Sequence, residues 1–491
     1  MQLCFSFNLL QRYTKNSDKN EHLRKKSVIF IALNNAIKMD KNTDNNKDKN
    51  TQNSIPTSKV ARATQFLKTG IKVGGNYLKH YAKKALNSDL TKDQLHADNA
   101  EDIYEGLSQL KGSALKVAQM MSMDKNVLPK AYSEKFTMAQ YSAPPLSYPL
   151  VVKTFQQFFK KNPTEIFDTF TRDAVNAASI GQVHLATKEG KKFAVKVQYP
   201  GIADSVKSDL RMVKPFATTI LNLSEKDIAL YMAEVESKLI EETDYDLELR
   251  RSVEISNLCA HIPHVFFAKY YAEYSSKRIL TMDWLDGQHL NAFLKTNPSQ
   301  EIRNQIGQTL WDFYDFQIHT LQTVHADPHP GNFLLRENGT VGVIDFGCIK
   351  VIPKDFYTNY FMLMNPNLLK SEENLEMMFK KLEFIVAEDT PEQKKFFTGV
   401  FRQIIELLGR PFHHETFDFS NEAYFQEIYE FGESVSKMKE LKEAKAARGS
   451  QHTLYINRTY FGLYAMLSDL KANIKTNKPA FLMTDKYENF I

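Results

Sequence analysis

His325-Ala326-Asp327-Pro328-His329-Pro330-Gly331-Asn332, then FLLRENGTVGV (333–343), then Ile344-Asp345-Phe346-Gly347: this stretch decides how the chain reads. Asn332 follows Asp327 by five positions, and Asp345 follows Asn332 by thirteen. FLLR (333–336) and VGVI (341–344) are apolar runs flanking Glu337-Asn338-Gly339-Thr340, and Asn-Gly between such runs predicts a hairpin. A hairpin returns the residues at its two outer ends to one edge, so Asn332 and Asp345 suit a shared cation. His325 and His329 stand at i and i+4, a spacing that suggests metal binding on a helix. The prolines between and after them preclude a regular helix, so structural roles are expected for both.

Phosphoryl transfer from a nucleotide needs a carboxylate at the acceptor hydroxyl and oxygen ligands for the magnesium that neutralises the phosphates. Asp327 suits the first task, and Asn332 with Asp345 the second. The order His-x-Asp, Asn, Asp-Phe-Gly, with both spacings, is that of the protein-kinase catalytic loop and magnesium motif. Either motif alone is weak; joined in order around a hairpin they are specific. Upstream, Phe193-Ala194-Val195-Lys196 places one lysine in an apolar strand, where an unpaired ammonium is costly. Phosphates and a helix carboxylate supply its partners in kinases. Glu242 is the first candidate for that carboxylate and Glu236 the second. Asp244, two residues on, faces away from Glu242 on a regular helix and needs another task.

No GxGxxG precedes the lysine strand, and no GxxxxGK[ST] occurs anywhere. Asn176-Ala177-Ala178-Ser179-Ile180-Gly181 stands in that place. Ala177, Ala178, Ser179 and Gly181 are the residues placed to cover phosphates through backbone N–H groups, in a loop stiffer than a glycine loop. No Ala-Pro-Glu follows Asp-Phe-Gly; Cys348–Pro353 runs straight on toward the next helix. A peptide-docking platform is not expected.

Working outward, the chain has 491 residues, 43% hydrophobic and 25% charged, which excludes fibrous, disulfide-scaffold and wholly disordered classes. Cys4, Cys259 and Cys348 form no CxxC pair, which fits a reducing compartment and argues against a thiolate zinc site. The longest charge-free stretch, Phe136–Val152, holds three prolines, so no transmembrane helix is expected. Residues 1–60 hold 11 Lys/Arg against 5 Asp/Glu, leaving the rest near neutral, so a nucleic-acid partner is not expected. Residues 1–53 read as a basic disordered tail; the apolar run VIFIAL at 28–33 has the wrong flanks for a secretory signal, and Met39 leaves open whether residues 1–38 are in the mature protein.

Residues 54–160 read as a helical extension, with helices over Val60–Leu86 and Ala100–Asp124. The first places Phe66, Leu67, Ile71, Val73, Tyr77, Leu78 and Tyr81 on one broad side, among Arg62, Lys68, Lys72, Lys79, Lys83 and Lys84. Such a helix either packs on its own domain with its lysines in solvent, or meets an anionic membrane surface. The second carries Lys116 and Gln119 on one side. Residues 161–287 read as a small β-rich lobe: strands at 178–187 and 191–199 joined by Lys188-Glu189-Gly190, an acidic helix over Ala229–Glu254, and a strand at Arg278–Trp284. Residues 288–491 read as a helical lobe around the hairpin, with a surface turn near Gly409-Arg410-Pro411.

LKGSALKVAQMMSMD, NAASIGQVH, AVKVQYPGI, EETDYDLE, MDWLDG, HADPHPGNF and VIDFGC, in this order, resemble the hallmarks of the UbiB/ADCK (AarF-domain) family of atypical kinase-like proteins. SIPTSKVARA is similar to the start of its quinone-related branch. The resemblance covers about residues 54–360. It implies an α+β, two-lobed protein-kinase-like fold, with a small β-rich N-lobe, a helical C-lobe and an N-terminal helical extension. In the family that extension carries a Lys-x-Gly-Gln motif folded over the protein-substrate site; Lys116 and Gln119 hold its Lys and Gln positions, and Ala118 replaces its glycine. Asn176 replaces the first alanine of the family's alanine-rich loop, and Asp283 in MDWLDG joins the nucleotide-binding set. The resemblance further implies ATP or ADP with Mg2+, ATPase-like activity, support of isoprenoid quinone biosynthesis or lipid homeostasis, and peripheral membrane association on the cytoplasmic or organelle-matrix side. Quinone-biosynthesis proteins or lipids are the partners it implies.

Two functions compete. One is an ATPase or small-molecule/lipid phosphotransferase, with Asp327, Lys196 and Glu242 in the catalytic set. The other is a nucleotide-gated lipid- or partner-binding module with little turnover. An ordinary protein kinase lacks support in the alanine loop and the missing docking segment. An antibiotic-type kinase leaves the Lys116/Gln119 helix unexplained.

Overall fold

The structure is a computed structural model that describes residues 59–86, 93–110, 146–177, 180–221, 239–438 and 448–476, with 232–233, 236–237 and 440. The described chain forms two units, one within Asn45–Glu254 and Ala268–Leu285, the other within Ile255–Phe267 and Asp286–Ile491. Lys116, Gln119, Ala178 and Ser179 lie outside the described residues.

In the first unit, α1 (Lys59–Leu86) packs beside α2 (Asp93–Leu110), which starts earlier than the expected Ala100. α1 divides its apolar residues between two faces. Phe66 and Thr69 are buried, whereas Leu67, Ile71 and Leu78 are 66%, 67% and 76% exposed. Arg62, expected among solvated lysines, is buried. Its Nε and Nη2 donate to the Asp209 carboxylate at 2.7 and 2.5 Å, and its Nη1 to the Leu110 carbonyl at 2.9 Å. A guanidinium removed from water is tolerable when its charge and donors are met in this way. Asp209 stands on α4 (Ile202–Leu221), so one buried ion pair joins α1, the end of α2, and α4.

α3 (Tyr148–Phe159) covers an antiparallel sheet of β1 (Thr169–Phe170), β2 (Asn176–Ala177), β3 (Gly181–Lys188) and β4 (Lys191–Gln198). The chain then leaves for β5 (Val265–Phe267), part of the second unit, and returns as β6 (Ile279–Asp283) beside β4. The β3–β4 turn holds Glu189 and Gly190 at φ 50° and 76°, and the left-handed pair matches strand twist in a two-residue hairpin. Alternation along β4 then assigns its faces. Phe193, Val195 and Val197 join Val151, Phe155, Phe167 and Phe170 in one core. Ala194 joins Ile180, Tyr199, Tyr245, Leu280 and Met282 in the other, and Lys196 shares that face.

The acidic helix expected over Ala229–Glu254 is interrupted. It stops at Glu242, and α5 (Tyr245–Cys259) starts anew after Thr243 and Asp244. Asp244 Oδ1 accepts from the Leu247 N–H at 2.9 Å, which caps the new helix and gives Asp244 its separate task.

The second unit is helical around short strands. α6 (Gln300–Asp315) runs into a π-turn, Phe316–Leu321, closed by Gln322 at φ 50°. β7 (Thr323–His325) follows, then the hairpin of β8 (Phe333–Leu335) and β9 (Val341–Val343), antiparallel as expected and joined by β5 in parallel. Gly339 in its turn has φ +79°, where a side chain would strain the backbone. β10 (Ile349–Val351) pairs with β7 in the register Ile349↔His325, a pairing the sequence did not suggest. Helices α7 (Lys354–Met362), α8 (Glu372–Lys381), α9 (Pro391–Gly409), α10 (Glu422–Lys437) and α11 (Gln451–Leu470) make up most of the rest, with β11 (Thr416–Asp418) and β12 (Asn473–Lys475) paired. Trp311 on α6 stacks on Tyr464 of α11 with centroids 6.3 Å apart. The expected surface turn at Gly409-Arg410-Pro411 is instead a buried corner. Arg410–His413 is a short 3-10 turn with Pro411 and Phe412 inside, Phe412 lying 5.4 Å from Trp311.

Candidate functional site

The candidate side chains fall into two constellations, one in each unit. In the first unit, Lys196 Nζ donates to Glu248 Oε1 and Oε2 at 2.9 and 3.2 Å, and lies 5.1 Å from the centre of the Tyr245 ring. The side chains are 12% and 4% exposed, so the pair is largely desolvated. The lysine's carboxylate is therefore Glu248, and not Glu242 or Glu236. The break at Thr243-Asp244 resets the helix, so the carboxylate facing β4 is the one a turn into α5. Glu236 lies 3.8 Å from Lys207 instead. An Asp directly after Thr243, opening a new apolar period, was the signal that would have placed this break.

Gly181 opens β3 against β4: a Cβ there would stand 2.6 Å from the Val197 carbonyl oxygen and 2.9 Å from Tyr245 Oη. Glycine is thus needed for close approach beneath the loop. Ala177 ends β2, paired with Gln182. Asp283 ends β6; its carboxylate accepts from the Tyr271 hydroxyl at 2.7 Å and from the Lys269 N–H at 3.1 Å. Burial, and then this bond to Asp283, pushes Tyr271 up to about 12.

In the second unit, the hairpin register Phe333↔Val343 leaves Asn332 and Ile344 at its open end, and the Ile344 N–H donates to the Asn332 carbonyl at 3.1 Å. Asn332 and Asp345 thus leave the same edge. Asn332 Nδ2 donates to the Asp327 carbonyl at 2.9 Å and to Asp327 Oδ2 at 3.3 Å. The carboxamide Oδ1 takes no part in these two bonds and is the atom of Asn332 that a cation could meet. Asp345 Oδ1 accepts from the Gly347 N–H at 2.7 Å. Among the described residues no group of three or more His, Cys, Asp or Glu side chains is placed to hold a metal. The Asp345 carboxylate and Asn332 carboxamide are nonetheless hard oxygen donors of the kind Mg2+ takes, and the donor set fits a cation whose remaining ligands are phosphate and water.

The two histidines have structural contacts. His325 is fully buried, which pushes its basicity down despite the nearby Asp327 and Asp345 carboxylates. Its ring meets Phe346 edge-on at 5.9 Å, and its backbone N–H donates to Gln317 Oε1 at 2.9 Å. Gln317 belongs to the π-turn, which thereby holds the strand entering the loop. His329 Nδ1 accepts from the Gly331 N–H at 3.0 Å and closes the turn ahead of Asn332. One contact was invisible in the sequence: Arg458 Nη2, on α11, donates to Asp327 Oδ1 at 2.6 Å. No local pattern marks it, because it comes from a helix 131 residues away.

Residues 138–379 match the ABC1 atypical kinase-like domain. The chain is 25% identical over 484 residues to the probable serine/threonine-protein kinase abkA of Dictyostelium discoideum, covering 92% of this chain and 83% of that one. It is 26% identical over 456 residues to the mitochondrial atypical kinase COQ8 of Saccharomyces cerevisiae, covering 89% and 87%. The structure of the Rv3197–erythromycin complex from Mycobacterium tuberculosis is similar in fold, with a TM-score of 0.54 and 24% identity over 78% of this chain and 96% of that one. The fold is α+β and protein-kinase-like. The chain belongs to the UbiB/ADCK (AarF-domain) family of atypical kinase-like proteins. Among the described residues no helix is long and apolar enough to cross a membrane.

Proposed function

We propose that this chain binds ATP with Mg2+ and transfers its terminal phosphoryl group to water or to a small-molecule or lipid acceptor, in support of isoprenoid quinone biosynthesis or lipid homeostasis at a membrane surface. The observation that carries the reading is the convergence of Asp327, Asn332 and the start of the Asp345 segment at the open end of one hairpin. Asp327 orients the acceptor. An acceptor oxygen bonds to the γ-phosphorus as the bond to the β–γ bridging oxygen breaks, its electron pair leaving with ADP; the acceptor proton passes to the product phosphate or to solvent. Asn332 and Asp345 would hold Mg2+, which when bound would neutralise phosphate charge. Lys196, fixed by Glu248, supplies the ammonium for the phosphates, and the loop at Ala177–Gly181 covers them through backbone N–H groups. Lys116 and Gln119 are the regulatory residues of this reading, and Asp283 belongs to its nucleotide-binding set.

Two features support the membrane setting: the exposed Leu67, Ile71 and Leu78 on α1, and Lys68 exposed beside them. The test is ATP hydrolysis by the purified full chain, with and without anionic vesicles, for wild type and Asp327→Asn. The expected result is Mg2+-dependent turnover, raised by vesicles and lost in the variant. Nucleotide binding without turnover would replace the enzyme by a nucleotide-gated binding module.

A further inference from the structure

The loop from His325 to Asn332 contains no lysine and no arginine. Phosphoryl transfer spreads negative charge over the transferring group beside the acceptor carboxylate, and a fixed cation there stabilises it. Neither histidine fills that place. His325 is buried with its basicity pushed down. His329 turns Nδ1 toward the Gly331 N–H at 3.0 Å, within its own turn.

The cation comes from α11. Arg458 reaches Asp327 Oδ1 at 2.6 Å, while Asn332 holds Oδ2 at 3.3 Å, so both carboxylate oxygens are fixed. The helix is built to bring it there. Gly462 lies one turn further along the same face, and a Cβ at that position would stand 2.9 Å from the Pro328 carbonyl oxygen. Only a bare backbone lets α11 settle against the residue next to Asp327. Asn457, beside Arg458, is hydrogen-bonded by the Tyr360 hydroxyl, which ties the helix to α7. Arg458 also lies outside residues 138–379, the segment matched to the kinase-like domain.

We propose that Arg458 is a positioning residue for phosphoryl transfer, which orients Asp327 and supplies the positive charge its loop lacks. The inference rests on the phosphoryl-transfer reading above. A carboxylate paired with guanidinium is a poor proton acceptor, so Asp327 orients the incoming oxygen and does little to deprotonate it.

The test is steady-state MgATP hydrolysis by the full chain for wild type, Arg458→Gln, Arg458→Ala, Arg458→Lys, Asp327→Asn and Asp345→Asn, each with a thermal melt. Arg458→Gln is expected to lower kcat on the order of 10²-fold, with KM for MgATP little changed. Free guanidinium ion is expected to restore part of the rate to Arg458→Ala and none to Asp327→Asn. Arg458→Lys, which keeps the charge without the planar fork, is expected to fall between; it decides the matter if the shorter variants do not fold. Wild-type kcat in a folded Arg458→Gln or Arg458→Lys overturns the proposal, as does a loss that follows only the folded fraction and is not rescued by guanidinium. Those results, obtained with an active wild type and an inactive Asp345→Asn, remove Arg458 alone. A wild type without turnover removes the phosphoryl-transfer reading, and Arg458's role with it.

Discussion

Glu248→Gln takes away the carboxylate that meets the Lys196 ammonium on the inner face of β4. In the intact protein the two side chains are 12% and 4% exposed and 2.9 Å apart. Removing one partner of a fully buried pair costs about 3–5 kcal/mol, mostly the desolvation of the charge left behind. Lys196 keeps a little solvent and the Tyr245 ring at 5.1 Å, so the lower end of that range, about 3 kcal/mol, is expected here. At roughly 2–4 °C per kcal/mol for a unit of this size, the melting temperature of the first unit should fall by about 6–12 °C. Glu242→Gln serves as the control and should cost under about 1 kcal/mol. The double variant Lys196→Met/Glu248→Leu replaces the pair with apolar groups of similar volume. It should recover to within about 1 kcal/mol of wild type while losing ATP binding. Calorimetry with and without MgATP measures all four proteins. Equal losses for Glu248→Gln and Glu242→Gln, or a double variant that still binds ATP, would refute the assignment of the pair and its role.

Asp345→Asn should abolish the stabilisation that ATP confers in the presence of Mg2+ but not in its absence, read by thermal shift; equal shifts in both proteins would count against Asp345 as a cation ligand. Burial pushes His319 down to about 3, so its neutral form stabilises the fold above the ordinary histidine range and that contribution drains away as pH falls from about 6.5 toward 3. His319→Gln should therefore flatten the acid limb of the melting curve, and an unchanged limb would assign it elsewhere. Asp469 has the opposite sign: burial raises it from 3.8 to about 7, so it destabilises increasingly as pH rises from about 4 to that value, and Asp469→Asn should melt higher than wild type at pH 8 but not at pH 4. Changing Leu67, Ile71 and Leu78 to Gln should weaken co-sedimentation with anionic vesicles without lowering the melting temperature, because all three side chains already face solvent.

The hairpin and the β3–β4 pair were legible because Asn338-Gly339 and Glu189-Gly190 lie between short apolar runs, where turn chemistry and alternation act over a few residues. The same alternation placed Lys196 on an inner strand. What failed was phase. Treating 229–254 as one helix carried the reading past the Asp244 cap and onto Glu242, when a restarted helix presents Glu248. Arg62 failed for another reason: its partner, Asp209, is 147 residues away, and no spacing rule joins a surface-type residue to a distant buried carboxylate. The apolar residues of α1 were seen but assigned to a single side, because a broad stripe does not show where Phe66 turns inward and Leu67 outward. Residues around Gly409 and Pro411 carry turn chemistry, yet Phe412 beside Trp311 draws that corner inside.

The pairing of β10 with β7 has a consequence for control. Only Cys348 separates Gly347 from the strand, and at its far end the Ile352 N–H is tied to the Gln322 carbonyl at 2.7 Å just before α7 begins. From Asp345 through Pro353 there is no serine, threonine or tyrosine. The stretch that swings and is tagged by phosphate in many signalling enzymes is here a short stitched seam with nothing to tag. Tempo must be set by what reaches the two constellations from outside it.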